Sequence, residues 1–252
     1  MNIHEDVEKV NPYAGNGDKG KQVEEMFDSI APAYDFMNTA MTLGMHKIWR
    51  DKALSRALSL LPAIGNINIL DVATGTGDVA FRLHSMVPLA RITGIDLSIG
   101  MLDVARKKLA EGSAMMRKQI AFGKADCMSL PFHDGEFNMV TVAYGVRNFG
   151  SLLQGLREIR RVLAKGGVLC VIELSCPRGK ATSMLYNFYS RRVIPFIGKK
   201  VSGDSRAYSY LPESIAACPQ REEMALLMRQ AGFTDVKWKS LTFGAVTYYL
   251  AK

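Results

Sequence analysis

The stretch "ILDVATGTGDVAFRL", Ile69 to Leu83, decides the fold. It opens as an apolar, β-rich run, tightens at Gly75-Thr76-Gly77 and continues with helical spacing, so it reads as strand, loop and helix. Gly75, Gly77 and Ala80 match the loose pattern G-x-G-x-x-G/A, which alone leaves several nucleotide-like ligands open.

Outward from this loop, short β-rich runs alternate with helical ones, the pattern of a parallel sheet covered on both faces. Strands are expected near 67–72, 91–96, 119–124, 137–143 and 168–174, and helices near 78–87, 99–110 and 152–164. Gly166-Gly167 should close the last of these helices as a left-handed cap. A helix near 221–231 follows, then strands 234–241 and 245–250, which so short a connection makes antiparallel. Upstream, Val23, Met26, Phe27 and Ile30 mark one helix ended by Pro32, and a second runs from about His46 to Leu61. The expected architecture is α/β: the Rossmann-like seven-stranded sheet of class I methyltransferases, with an N-terminal helical lid and a helical insertion after the fifth strand. Residues 1–20, polar and glycine-rich, read as a mobile arm, and 21–252 as one domain, with helices over 21–62 and a cover over 177–215.

The acids narrow the ligand. Asp78 begins the helix after the loop, where a dinucleotide would put its pyrophosphate, and two negative groups there repel. S-adenosylmethionine has no phosphate and a cationic amino end. Asp96, 19 residues past Gly77, is placed for both ribose hydroxyls, Asp126 for the adenine amino group, and Cys127 offers a backbone N–H and a small side chain beside the ring. Each acid taken singly could equally be a helix cap.

Composition limits the alternatives. With 252 residues and 48% apolar content the chain builds its own core, and no apolar run approaches the roughly 20 residues needed to cross a bilayer. Glu5, Asp6 and Glu8 argue against a secretory or organellar leader, so a cytoplasmic site is expected. The four cysteines form no C-x-x-C pair and read as reduced thiols, and no metal site is expected. Net charge is +8, and residues 177–210 hold +6 of it, as seven cations against Asp204. Tyr186, Phe188, Tyr189, Phe196, Tyr208 and Tyr210 are interleaved with them. This mixture suits stacking on bases, lying on an anionic bilayer, or covering a site.

Longer motifs supply the rest. "YDFMNTAMTLGMHKIW" (34–49), "AYGVRNF" (143–149), "RVLAKGGVLCVIELS" (161–175) and "SGDSRAYSYLPESI" (202–215) resemble segments of the ubiquinone/menaquinone C-methyltransferase family. The likeness runs from about Val23 to the C-terminus, with Ala143 where some members carry serine. It implies methyl transfer from S-adenosylmethionine to a ring carbon of a prenylated hydroquinone. It also implies Gly75, Thr76, Gly77, Asp96, Asp126 and Cys127 as cofactor positions and Arg147 and Asn148 as catalytic ones. A phenol with a pKa near 10 is mostly protonated at neutral pH, so Arg147 is expected to favour the phenolate by charge pairing. Because arginine stays protonated, the base is left open among a water held by Arg147 and Asn148, His46, and Asp35. The competing readings are a packed His46/Trp49 helical pair, a turn-capping Asp35 and a structural ion pair at Arg147.

A substrate with a prenyl tail favours peripheral contact with the inner face of an anionic membrane through the basic segment. No nucleic acid is expected as a partner, because no nucleic-acid motif accompanies the charge. A homodimer and the choice between naphthoquinol and benzoquinol stay open. The competing functions are a methyltransferase for RNA or another small molecule, and a cofactor-binding scaffold without turnover.

Overall fold

The computed structural model describes residues 5–13, 17–62, 67–179, 182, 184 and 205–252. Seven strands form one sheet: β1 (Asn68–Val72), β2 (Arg91–Asp96), β3 (Ile120–Lys124), β4 (Phe137–Ala143), β5 (Leu163–Leu174), β6 (Lys237–Leu241) and β7 (Val246–Ala251). Their order is β3-β2-β1-β4-β5-β7-β6, with β7 antiparallel to both neighbours and the pairs among β1 to β5 parallel. The order reverses between β1 and β4, which opens a crevice at their carboxyl ends.

Period-two alternation sends successive strand residues to opposite faces. Leu70, Val140 and Leu169 join the side covered by α8 (Leu152–Val162) and α10 (Glu222–Gln230). Ile69, Met139 and Cys170 join the side covered by α4 (Met45–Leu58) and α5 (Asp78–Met86). Fully buried Leu54 on α4 and Leu156 on α8 each contribute about 1.5–3 kcal/mol by leaving water. Further helices are α1 (Glu5–Lys9), α2 (Lys19–Ile30), α3 (Tyr34–Thr42), α6 (Ile99–Ala110), α7 (Ala114–Gln119) and α9 (Ser205–Ala217).

Two local readings change. Helix α8 ends at Val162, and Gly166, at φ +77°, lies within β5, where the partner of Phe137 is Leu163 but that of Met139 is Val168. The glycines therefore carry a bulge in the β4–β5 ladder instead of capping the helix. The arm read as mobile is docked where described: Val7 is buried, Leu152 N–H donates to Glu8, and buried Lys19 donates to the carbonyls of Val7 (2.6 Å) and Arg147 (3.1 Å). Burial lowers the Lys19 pKa to about 8, with Cys218 and Glu8 acting against that shift. An ammonium without water is held by carbonyl oxygens, and here those bonds tie the arm to the turn that bears Arg147.

Candidate active site

Beneath the glycine loop lies Asp71, buried in β1 and accepting hydrogen bonds from Thr74 and Thr141, both at 2.6 Å. Burial raises its pKa to about 6 against the pull of those hydroxyls, and the bonds pin the loop to β4. Ala73 and Gly75 take positive φ (54° and 56°), and Thr74 N–H and Gly75 N–H cross to β2, donating to Ile95 O and to Asp96 Oδ2 (2.8 Å). Asp96 Oδ1 accepts from Ser98 N–H at 2.9 Å. Burial raises the Asp96 pKa, while the backbone donors oppose that shift.

Two cavities open at the strand ends. The smaller, about 140 Å³, is lined by Gly75, Asp96, Asp126, Cys127 and Asn148, together with Asp18 of the N-terminal segment. Its described lining holds three acids and no lysine or arginine, a set that repels phosphate and suits hydroxyl, amino and cationic groups. Burial pushes the Cys127 thiol pKa up, so it stays protonated there. The larger cavity, about 600 Å³, is mainly apolar, with Met26, Met37, Met41, Met45, Leu211 and Ile215 in its walls. Its polar groups include Asp35, His46, Arg50, Thr76, Asp78, Tyr144 and Arg147. The cavities share a wall of Phe27, Tyr34, Ala73, Gly75, Ala143 and Tyr144.

The expected residues divide between these spaces. Gly75, Asp96, Asp126 and Cys127 face the small cavity; Thr76 lines the large one, where its hydroxyl donates to Asp35 at 2.5 Å. Gly77 lines neither. A Cβ on it would meet Phe81 and Phe122 at 2.8 Å, so this glycine, at φ +83°, lets the loop pack against the α5 and β3 aromatics. Asp78 does not stand as a free negative charge, because Lys108 (3.0 Å) and Arg50 (3.3 Å) pair with it and lower its pKa against its own desolvation. Repulsion of phosphate therefore comes from the acids lining the small cavity and not from Asp78.

Asp35 is held from both oxygens, by Thr76 and by Lys108 at 2.5 Å, which makes it a clamp between α3 and the loop. His46 keeps a ring nitrogen without such a partner. The Thr42 hydroxyl lies 2.7 Å from the Asn38 carbonyl and 2.6 Å from His46 Nδ1. With the single hydroxyl proton given to the carbonyl, Nδ1 must donate, which leaves Nε2 with its lone pair. Burial, and then nearby Arg50, lower the His46 pKa, so the ring is neutral above that value. Trp49 instead donates to Thr242 at 2.8 Å and is structural.

Arg147, 6% exposed, forms a buried ion pair with Glu173, 3% exposed, at 2.7 Å. Burial pulls the Arg147 pKa down, but Glu173 outweighs this and the net shift is upward. Its Nη1 also donates to Tyr144 O, whereas Nε is buried without a hydrogen-bond partner among the described residues. Because Glu173 already balances the guanidinium, Arg147 offers an oriented N–H more than a net charge. Asn148 accepts from Tyr210 at 3.0 Å, which joins α9 to this turn. Sequence reasoning passed over Glu173, Tyr144, Arg50 and Lys19. Only Glu173 left a signal, as a lone acid ending the apolar run "VLCVIEL". Arg191, Arg192, Lys199 and Lys200, expected at a membrane, lie outside the described residues, as do Lys180, Tyr186, Phe188, Tyr189 and Phe196.

Strand order, switch point and acid-lined crevice define a class I methyltransferase fold. A SAM-dependent methyltransferase of Thermotoga maritima shares that fold, with a TM-score of 0.60 at 20% identity over 90% of this chain and 98% of that one. The chain belongs to the ubiE/COQ5 methyltransferase family, whose profile matches residues 16–252. It is 43% identical to the demethylmenaquinone methyltransferase of Bacteroides fragilis over 97% of both chains. It is 40% identical to the ubiquinone/menaquinone biosynthesis C-methyltransferase UbiE of Geotalea daltonii, over 92% of this chain and 96% of that one.

Removing Glu173 should leave a buried, unpaired guanidinium, so Glu173→Ala is expected to lower unfolding stability in urea by roughly 3–5 kcal/mol. The double variant Glu173→Leu with Arg147→Met should recover much of that loss; a double variant no more stable than the single one would show that the pair is not the source.

Proposed function

We propose that the protein is an S-adenosylmethionine-dependent C-methyltransferase acting on a prenylated hydroquinone, converting demethylmenaquinol to menaquinol. The observation that carries this is the pair of cavities: an acid-lined one suited to the donor and a mainly apolar one of about 600 Å³, meeting across a shared wall. The relatives named for menaquinone share a higher identity with the chain than those named for both quinones, which favours the naphthoquinol ring. The benzoquinol ring is the alternative.

S-adenosylmethionine, when bound, supplies an activated methyl group. Asp96 and Asp126 would hold its hydroxyl and amino groups as acceptors, and Gly75 leaves room for close approach. His46 Nε2 takes the ring hydroxyl proton, with Thr42 holding the tautomer. Helices α2, α3 and α4 contribute walls to the large cavity and exclude water from that transfer. Arg147 lines the same cavity, with its guanidinium held in place by Glu173 and the Tyr144 carbonyl.

The mouth supports a bilayer contact. Leu43 (87% exposed) and Phe243 (83% exposed) line the large cavity, and Phe36 and Ile48 on the same helical layer are also exposed. Apolar side chains at the rim give a prenyl tail a continuous path from lipid to cavity. Among the described residues no helix is long and apolar enough to cross a membrane, so the contact would be peripheral.

With labelled donor and demethylmenaquinol, mass spectrometry should find the label on the quinone ring, and Asp96→Ala should weaken donor binding at least about 10-fold in calorimetry. Label on the benzoquinol alone would overturn the ring assignment. The rate constant kcat should rise with pH to a plateau, with a midpoint below 6.5, because the lowered His46 pKa frees its base form earlier. His46→Gln should lose that limb; an unchanged profile would remove His46 as the base. In flotation with anionic vesicles, Leu43→Ser with Phe243→Ser should reduce recovery with lipid, and undiminished recovery would end the membrane reading.

A further inference from the structure

One wall of the small cavity is a helix that does not belong to the main core. Asp18, at the N-cap of α2, and Gly20, Val23 and Phe27 within it line that cavity together with Asp96 and Asp126. The space measures about 140 Å³, whereas pockets for drug-sized ligands occupy roughly 300–1,000 Å³. With the adenosyl end of the donor assigned to this cavity, a wall has to move outward to admit it.

The packing singles out α2. Its buried Met26 and Ile30 join neither face of the sheet; with Ala31, Met37, Met101 and Tyr210 they form a separate, smaller apolar cluster. Elements with little apolar burial open locally at lower free energy than core strands do.

Polar bonds fasten α2 to three other elements. Lys19 donates to the Arg147 carbonyl in the turn after β4 at 3.1 Å, and Glu24 pairs with Lys124 at the end of β3. Asp28 accepts the Ser98 hydroxyl at 2.5 Å and the Gly100 N–H at 2.8 Å, at the start of α6. Ser98 also donates its backbone N–H to Asp96, so this fastening shares a residue with the donor acid. Asp28 is exposed and the Glu24–Lys124 pair is partly so, which lets water replace these bonds at small cost.

We propose that α2 is a gate over the donor cavity, fastened by Lys19 and Asp28, and that the methyl donor enters and its demethylated product leaves when α2 releases. The proposal rests on the reading of the small cavity as the donor site. The quinol uses a different door, because Leu43 and Phe243 at the exposed apolar rim line the large cavity and not the small one. Donor exchange past α2 leaves that rim free to stay on lipid from one turnover to the next.

The test is stopped-flow binding of S-adenosylmethionine to the full chain, followed by protein fluorescence. A gate that opens more often speeds passage in both directions, whereas loss of a contact to the ligand speeds exit alone. Asp28→Ala removes an exposed side chain and empties no core position, so it keeps the test open should Lys19→Met fail to fold. Each variant is expected to raise the association and dissociation rate constants together by about 3- to 10-fold, the worth of one such hydrogen bond. Kd should stay within about threefold of wild type. Amide hydrogen exchange should quicken in α2 while β1 and β4 keep their protection. Faster dissociation at an unchanged association rate, or wild-type rates in Asp28→Ala, would overturn the gate. Asp96→Ala tells the two readings apart. If it binds the donor as wild type does, the small cavity is not the donor site and the proposal falls with that reading. If it loses the donor while the α2 variants keep wild-type rates, the gate falls alone.

Discussion

The buried pair of Arg147 and Glu173 is the interaction on which the site depends. Two charges out of water are expensive, and removing either partner leaves the other uncompensated. The pair persists because the surrounding backbone completes it: Glu173 also accepts from the N–H groups of Arg147 and Leu174, and Arg147 also donates to the Tyr144 carbonyl. These contacts fix the turn after β4, and that turn carries three consequences. It presents Tyr144 at the boundary of the cavities, it aims Asn148 at Tyr210, and it offers the Arg147 carbonyl on which Lys19 anchors the N-terminal segment.

A second network does for the glycine loop what this pair does for β4. Lys108 from α6 bridges Asp35 of α3 and Asp78 of α5, and Arg50 of α4 completes the set. Four elements distant in sequence thus meet at the helix that follows the loop. These pairs are partly exposed, so their value lies in orientation more than in stability. They hold the helical layer over the strand ends and keep the Asp78 charge from facing the ligand alone. The acid-rich small cavity and the oily large one can then meet over only six shared residues.

Much of the fold was legible because the chain obeys local rules. The strands alternate or run apolar as a covered sheet requires, and serines stand at the N-caps of α6 and α7. That the acids after the strands share one cavity was legible for a related reason: in a parallel sheet each strand end opens onto the same crevice, so chain position predicts spatial position. The glycines misled where a local pattern had two solutions. Gly166 can cap a helix or carry a bulge, and only the register against Phe137 and Met139 chose the bulge. Gly77 fits a ligand fingerprint, but Phe81 and Phe122, the latter 45 positions downstream, account for it.

The amino-acid sequence by itself determined the order of strands and helices, the acids at the strand ends and the family to which the chain belongs. Hydrophobic period and loop chemistry act over a few residues and can be read in one dimension. Only the tertiary structure decided which charges are spent on each other and which residues line the cavities. That Arg147 is balanced by Glu173, and that Asp35 is clamped while His46 keeps a lone pair, depend on contacts within and between elements. Electrostatics and desolvation act through space, and no spacing along the chain encodes them.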